Sequence, residues 1–157
     1  MKKDKTRLRH IMVLWAIMGM TYYAIEGIWG INSNGGWANI FMLPIGGLCG
    51  ILAGGLNQNK HFYRLKMIWQ SFFGAIIVLI AEFASGLILN IWLNMNIWDY
   101  SDLPFNIMGQ ICLLYGILWF LMMPAVIWAE DMLRFYLWGE GHEYSFKENY
   151  IELLSYK

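Results

Sequence analysis

The sequence has 157 residues, of which 59% are hydrophobic and only 14% are charged, and its formal net charge is zero. Soluble domains average roughly 45–50% apolar and 25% charged residues, so this composition argues against a soluble protein and for one membrane-embedded domain. A membrane-spanning helix needs about 20 mostly apolar residues. The chain is therefore predicted to be an all-α integral membrane protein with four transmembrane helices, at about residues 11–31, 39–56, 67–93 and 107–129.

The first predicted helix follows a basic segment, Met1 to His10. Its apolar run, from Ile11 to about Ile31, is too long for the h-region of a signal peptide, and no small-residue cleavage site precedes a soluble domain. An uncleaved spanning helix is therefore predicted. Tyr22, Tyr23 and Glu26 interrupt the apolar sequence near the far end of this helix.

The second predicted span follows an uncharged, turn-rich loop; it is rich in glycine and contains Pro44. Small residues let membrane helices approach closely, so this helix is expected near the centre of the bundle. A basic loop, Asn57 to Lys66, leads to the third span, which contains Glu82.

A polar and aromatic run, Trp98 to Leu113, leads into the fourth predicted span. Pro104 has no backbone N–H and restricts the residue before it, so the helix is expected to begin only after Pro104. Asn106 is then predicted to be its N-cap, accepting a hydrogen bond from an early backbone N–H such as that of Gly109. Gln110 is expected one turn below Asn106, pointing toward the membrane glutamates.

The tail, residues 131–157, is predicted to form a separate cytoplasmic segment after a transmembrane domain at 1–130. Its Ser145-Phe146-Lys147-Glu148 sequence predicts a capping box that opens a short helix with one apolar side. Two interpretations stay open: the helix lies on the bilayer surface or on its own bundle, or it docks a cytoplasmic partner.

Basic residues are segregated along the chain. The loops after the first and third predicted spans contain no Lys or Arg, whereas the N-terminus, the middle loop and the tail contain them all. The positive-inside rule therefore places both termini in the cytoplasm. The predicted location is the bacterial cytoplasmic membrane, which the chain crosses several times.

Two acidic residues stand out within the spans. Glu26 and Glu82 are predicted at the same depth, roughly 22–24 Å from the cytoplasmic ends of their helices at about 1.5 Å per residue. Each costs on the order of 2.5–3.5 kcal/mol if it is charged and faces lipid, and no basic side chain lies in a span to neutralise it. Two interpretations stay open: neutral acids that hydrogen-bond helix to helix, or an acidic cavity, open to the outside, for a cation or proton.

The cavity interpretation predicts a substrate-binding site in which Asp99 and Tyr100 cover the outer mouth and aromatic rings offer π faces to a cation. In each half of the chain, a glutamate-bearing helix is followed by a helix with Pro and Gly near its outer end. This pattern is typical of transporter sites and suggests a parallel two-helix repeat. The predicted site residues are Glu26, Glu82, Tyr22, Tyr23, Trp98, Asp99, Tyr100, Asn106 and Gln110.

The run from Trp98 to Leu113 resembles a bacterial membrane-protein family, the CmpB-like ABC-transporter type IV group. The resemblance covers roughly Met18 to Trp119. Gln110 stands where many members have arginine, and the family's Pro-Ile-Tyr-Gly run lacks its tyrosine here. The matching motifs are Trp98-Asp99-Tyr100-Ser101, Pro104-x-Asn106, Gly109-Gln110-Ile111-Cys112-Leu113, Gly19 to Glu26, Asn34-Gly35-Gly36-Trp37, Leu43-Pro44-Ile45-Gly46-Gly47 and Glu82-Phe83.

The resemblance implies a transporter component. Together with the acidic spans it predicts a small permease or membrane solute-binding component, whose outward-facing acidic and aromatic cavity takes a cation, a proton or a small organic cation. One alternative is a non-transporting scaffold or regulatory subunit with structural glutamates. Another is a membrane enzyme that uses the carboxylates as acid and base on a lipid. The prediction, however, is that the protein is not an enzyme.

No cofactor or metal is expected, because His10, His61 and His142 lie at or beyond the predicted cytoplasmic surface. The sequence has no phosphate-cradling glycine loop followed by Lys and Ser or Thr, so any ATPase is a separate chain. The expected partners are the lipid bilayer, further copies of the chain or a partner membrane or ATPase subunit, and a small cationic solute. Nucleic acid is not expected, since topology explains the basic residues.

Overall fold

The computed structural model describes residues 2–155, without the side chains of residues 2–5, 33 and 34. Within that range the chain is mainly helical, which confirms the all-α prediction. One antiparallel pair of two-residue strands, β1 (Asn106–Ile107) and β2 (Ile111–Cys112), interrupts it. The helices are α1 (Lys2–Asn34), α2 (Met42–Cys49), α3 (Lys60–Tyr63), α4 (Met67–Gly86), α5 (Leu113–Trp138) and α6 (Phe146–Leu154).

Three helices of the described chain are long and apolar enough to span a membrane: Thr6–Asn32, Met67–Trp92 and Leu113–Trp138. They contain 27, 26 and 26 residues. At about 1.5 Å per residue each exceeds the hydrocarbon thickness of roughly 30 Å. The first predicted span corresponds to the helix Thr6–Asn32, and the third predicted span corresponds to Met67–Trp92. The helix Met67–Trp92 consists of α4 and a π-helical turn that continues it.

The second predicted span, residues 39–56, is not one continuous α-helix. After α2, the chain forms a π-helical turn at Gly50–Gly54 and a 3₁₀ turn at Gly55–Gln58. Glycine is a poor helix former because it has the most backbone freedom to lose, and this segment is rich in it. The segment is not one of the three spanning helices, so the count of four spans is not confirmed.

The helix predicted to begin at Ile107 begins instead at Leu113, and it continues to Trp138. Asn106 lies in β1, so the prediction that it caps this helix is wrong. The predicted donor is nevertheless correct, since Asn106 Oδ1 accepts a hydrogen bond from the N–H of Gly109 at 3.0 Å. Positive φ angles, which a right-handed helix excludes, explain the delayed start; they occur at Phe105 (55°), Met108 (54°) and Gly109 (69°).

The chain forms two compact units that divide between Ile51 and Leu52. In the first unit, α2 packs closely on α1. A Cβ atom added at Gly46 would overlap the side chain of Tyr22, so this contact requires a residue without a side chain. The glycine-rich sequence of α2 therefore sets how near the two helices lie.

The core of the second unit is the pair α4 and α5. Gly74 of α4 lies against the side chain of Met123, and Gly116 of α5 lies against Leu79. We call the end of this pair that carries residues 93–112 the loop end. The opposite end, where residues 55–66 and 139–145 lie, is the tail end.

Helix α6 begins with the predicted capping box. The Ser145 side chain accepts a hydrogen bond from a backbone N–H of the first turn, and the Glu148 side chain accepts one from the Ser145 N–H. The predicted capping box is confirmed. The last two residues of the predicted tail, Tyr156 and Lys157, lie outside the described residues.

Helix α6 packs on α5. The Asn149 amide is buried and donates to the carbonyl oxygen of Pro124 at 3.1 Å, and the Tyr150 hydroxyl donates to the carbonyl oxygen of Leu121 at 3.1 Å. Proline in a helix removes one backbone hydrogen bond and disturbs its neighbours, so α6 supplies polar partners close to that break. The interpretation that the tail helix lies on its own bundle is confirmed.

Candidate functional site

The predicted site residues belong to both compact units. Tyr22, Tyr23 and Glu26 lie in the first unit. Glu82 and the loop residues, which run from Trp98 to Gln110, lie in the second. Each unit brings its own members together, and a single cavity that joins the two groups stays a prediction.

In the first unit, α1 places Tyr22 and Glu26 one turn apart, and the Tyr22 hydroxyl is hydrogen-bonded to the Glu26 carboxylate. This is the expected pairing of residues i and i+4 on one helix face. The neighbouring Tyr23 ring makes an edge contact with Trp37, with centroids 6.0 Å apart. Tyr22 and Glu26 therefore form a local acid–phenol pair, whereas Tyr23 supports the loop that follows α1.

In the second unit, the side chain of Glu82 is almost fully buried, with 7% of the residue exposed. Gly86, one turn further along α4, lies against Gln110, because a Cβ atom at Gly86 would overlap the glutamine side chain. Residues i and i+4 share a helix face, so Gln110 packs on the face that carries Glu82. The expectation that Gln110 lies one helical turn below Asn106 is wrong, because both residues belong to the β1–β2 hairpin that precedes α5. Its orientation toward the glutamates stays a prediction.

Asn90 organises the loop end, and sequence reasoning missed it. Its Nδ2 atom donates to Gln110 Oε1 at 2.9 Å and to the Trp98 carbonyl oxygen at 3.0 Å, while its Oδ1 accepts the N–H of Ile97 at 2.7 Å. The Trp98 indole donates in turn to the Gln110 carbonyl oxygen at 3.0 Å. The available signal was one amide in the otherwise apolar run Leu87–Trp92.

Asp99 is an exposed carboxylate on the loop. Its Oδ1 accepts hydrogen bonds from the Ser101 hydroxyl at 2.5 Å and the Ser101 N–H at 2.8 Å. These bonds, the hydroxyl first, hold the pKa of Asp99 below its ordinary value, so the group is charged at neutral pH. Next to it, the Tyr100 ring stacks on Tyr115 with centroids 4.5 Å apart.

Asn106 holds the turn between Ser101 and Gly109. Its Nδ2 donates to the carbonyl oxygens of Ser101 at 3.1 Å and Leu103 at 2.8 Å, and its Oδ1 accepts the Gly109 N–H. The amide is therefore occupied within the loop, as is that of Gln110, which also donates to the Met108 carbonyl oxygen. These amides act as the framework of the loop end, and Glu82 and Asp99 are the carboxylates among the predicted site residues there.

A second polar cluster lies at the tail end, and sequence reasoning missed it. Asp131 accepts hydrogen bonds from Asn57 Nδ2 at 2.7 Å, from Gln58 Nε2 at 3.2 Å and from the Tyr144 hydroxyl at 2.8 Å. The Tyr144 pKa is raised, mainly by burial and next by the nearby Asp131 charge. The available signal was the Glu130-Asp131 pair at the end of an apolar run.

An ion-pair chain adjoins this cluster. Glu130 has no exposed surface, and its Oε1 lies 2.6 Å from both Nε and Nη2 of Arg134. Nη1 of Arg134 lies 3.1 Å from Glu140 Oε2. Gly54 leaves room for the Glu130 side chain. The residues around a cavity of about 320 Å³ are Asn57, Gln58, Tyr63, Asp131, Arg134, Glu140, Gly141, His142 and Tyr144.

The sequence profile of one protein family, described as "Putative ABC-transporter type IV", matches residues 11–140. No curated protein and no solved structure matches the chain at a significant level.

Proposed function

The chain belongs to this ABC-transporter type IV family, and from that membership we propose that it is a permease or membrane solute-binding component for a small cationic solute or a proton. Its three helices of spanning length make it a membrane protein. Nucleotide hydrolysis then belongs to a separate chain. Transport through so narrow a bundle calls for further copies or a partner subunit.

The observation that carries this proposal is the buried carboxylate of Glu82. It lies in the middle of a spanning helix and is 7% exposed. A carboxylate at such depth is costly if charged, and membrane proteins keep one where it binds an ion, a proton or a ligand. We assign it the role of a cation or proton acceptor, and we assign the same role to Glu26, supported by Tyr22.

The loop end has two kinds of residue in this proposal. Asp99 is charged and exposed, so it attracts cations to the mouth, and the stacked Tyr100 and the neighbouring Trp98 offer aromatic faces. Asn106 and Gln110 hold the loop in place through their hydrogen bonds. Tyr23 adds an aromatic group beside Glu26 on the first helix.

A scaffold or regulatory subunit is the second candidate. The saturation of the loop amides favours it, because Asn90, Asn106 and Gln110 make their hydrogen bonds within the protein. In that case Glu82 is a neutral acid that stabilises the helix packing, and glutamine replaces it without functional loss.

Binding of radiolabelled choline, a small organic cation, to the protein in lipid nanodiscs separates the two candidates. If Glu82 accepts the cation, Glu82→Gln weakens choline binding at least tenfold while the protein still folds, and Glu26→Gln does the same. Glu143→Gln is the matched control, since Glu143 is exposed and its carboxylate accepts a hydrogen bond from the Tyr136 hydroxyl. Equal choline binding in all four proteins would support the scaffold instead.

We propose further that residues 39–56 form a fourth span, which brings both termini to the cytoplasm of a bacterial cell. The segregation of basic residues supports this topology. A cysteine introduced at Ser101 should then react with an impermeant thiol reagent outside intact cells, and one at Gln58 should not. The reverse pattern would overturn the orientation.

A further inference from the structure

The cavity at the tail end contains a carboxylate whose hydrogen-bond donors are all neutral. Asp131 accepts its hydrogen bonds from Asn57, Gln58 and Tyr144. Arg134 and His142 interact with it electrostatically, but among the described side chains no Lys, Arg or His forms a direct ion pair with it. A carboxylate has about four lone-pair sites, so three neutral donors leave one acceptor site unused.

A second acceptor lies beside it. Asn57 donates through Nδ2 to Asp131 Oδ2 at 2.7 Å, and its own carbonyl oxygen, Oδ1, is buried without a hydrogen-bond donor among the described residues. Both residues line the cavity. That Asn57 oxygen has almost no accessible surface, so the acceptor that the cavity offers to a ligand is the unused site on Asp131.

The other charged groups on the wall do not supply that donor. Arg134 is held between Glu130 and Glu140, so its charge is already matched. His142 packs beside the Tyr144 ring, with centroids 5.7 Å apart. The carboxylates around the cavity therefore exceed the guanidinium in charge, which favours a cation over an anion.

The chemistry of the wall also selects the kind of cation. Among the described residues no group of three or more His, Cys, Asp or Glu side chains could hold a metal ion. The rings of Tyr63, His142 and Tyr144 line the cavity instead, and aromatic rings attract organic cations through their π faces. The volume of about 320 Å³ falls at the lower end of the range of small-molecule sites, roughly 300–1,000 Å³.

We propose that this cavity binds a small organic primary ammonium ion, whose charged nitrogen contacts Asp131 and whose body lies against the rings of Tyr63 and Tyr144. This site is separate from the acidic residues of the loop end and uses none of them.

Tyramine and its neutral isostere tyrosol test the proposal, because they differ mainly in an ammonium group against a hydroxyl. Isothermal titration calorimetry on the purified full chain in detergent at pH 8 measures both. Tyramine should bind saturably and tyrosol at least tenfold more weakly. The proposal is overturned if the two compounds bind equally. It is also overturned if tyramine shows no binding at concentrations up to about 10 mM.

Variants locate the site. Asp131→Asn keeps the shape of the side chain but removes its charge, so tyramine binding should fall at least tenfold, while Glu143→Gln should bind as the wild type does. Tyr63 is exposed, so Tyr63→Leu leaves folding intact even if the Asp131 variant does not fold, and it should weaken tyramine binding several-fold. Wild-type affinity in Tyr63→Leu, or in a folded Asp131→Asn protein, refutes the site. Glu82→Gln separates this test from the test of the proposed function. That variant should lose choline binding and keep tyramine binding.

Discussion

Replacing Asn106 by alanine should loosen the loop that leads into α5. The change removes three hydrogen bonds, to the carbonyl oxygens of Ser101 and Leu103 and from the N–H of Gly109. A hydrogen bond of this kind contributes roughly 0.5–1.5 kcal/mol net. The free energy of local opening of the loop should therefore fall by about 2–3 kcal/mol. This is less than three times the upper value for one hydrogen bond, because the site is partly exposed.

Amide hydrogen exchange measures that loss at one residue. The N–H of Tyr100 donates to the Gly109 carbonyl oxygen at 2.8 Å, so its exchange reports opening of the loop between these two residues. A loss of about 2–3 kcal/mol corresponds to exchange roughly 30- to 150-fold faster. Asp102→Asn, an isosteric change at an exposed position of the same loop, is the control and should change exchange less than about twofold, in line with small surface effects.

The result can refute the reasoning directly. If the Tyr100 amide exchanges at the wild-type rate in Asn106→Ala, the asparagine does not hold the turn and its three hydrogen bonds contribute little to the stability of the loop. If Asp102→Asn has the same effect as Asn106→Ala, the loop is sensitive to any change, and the specific hydrogen bonds are not the cause.

Three further changes test other parts of the second unit by thermal unfolding in detergent or by proteolysis. Gly54→Ala should destabilise the protein by about 1–2 kcal/mol because its new Cβ would overlap the Glu130 side chain, whereas Gly36→Ala, with open space around it, should be near neutral; equal effects contradict the packing. Because the folded-state pKa of Tyr144 is raised by burial first, its stabilising effect is complete below about pH 10, the ordinary tyrosine pKa, and falls as pH rises further. The unfolding temperature should thus decline more steeply above pH 10 in the wild type than in Tyr144→Phe, and parallel curves would exclude this linkage. Asn149→Ala removes a buried hydrogen bond from α6 to α5 and should cost about 1–2 kcal/mol; an unchanged rate of proteolysis in α6 would show that this bond does not hold the helix.

The features that sequence reasoning predicted correctly depend on neighbours along the chain. The capping box at Ser145 needs only a residue three positions further on, and the two long spans need only an unbroken apolar run. The start of α5 is different, because positive φ angles at Phe105 and Met108 have no strong signal in residue type. Proline and asparagine are typical both of helix starts and of turns, so Pro104 and Asn106 could not distinguish the predicted helix start from the turn that forms.

The candidate site shows the same division. Glu82 and Gln110 could be singled out, since polar groups in apolar segments are rare. The cluster around Asp131 could not, because its partner Asn57 is 74 positions away in the sequence, and each residue alone is typical of a solvated loop. The role of Asn90 likewise depends on a loop that folds back onto the helix carrying it.

The pairing of Glu130 with Arg134 has a consequence for how the protein reaches its membrane. Both charges lie on α5, four positions apart, with their charged atoms 2.6 Å from each other. An acid whose counter-charge lies on another helix must wait for that helix before it leaves water, whereas this pair forms as soon as one turn of α5 has formed. During biogenesis this pair can thus enter the bilayer already formed, whereas Asp131, the third charged residue on α5, takes its hydrogen-bond partners from elsewhere in the chain.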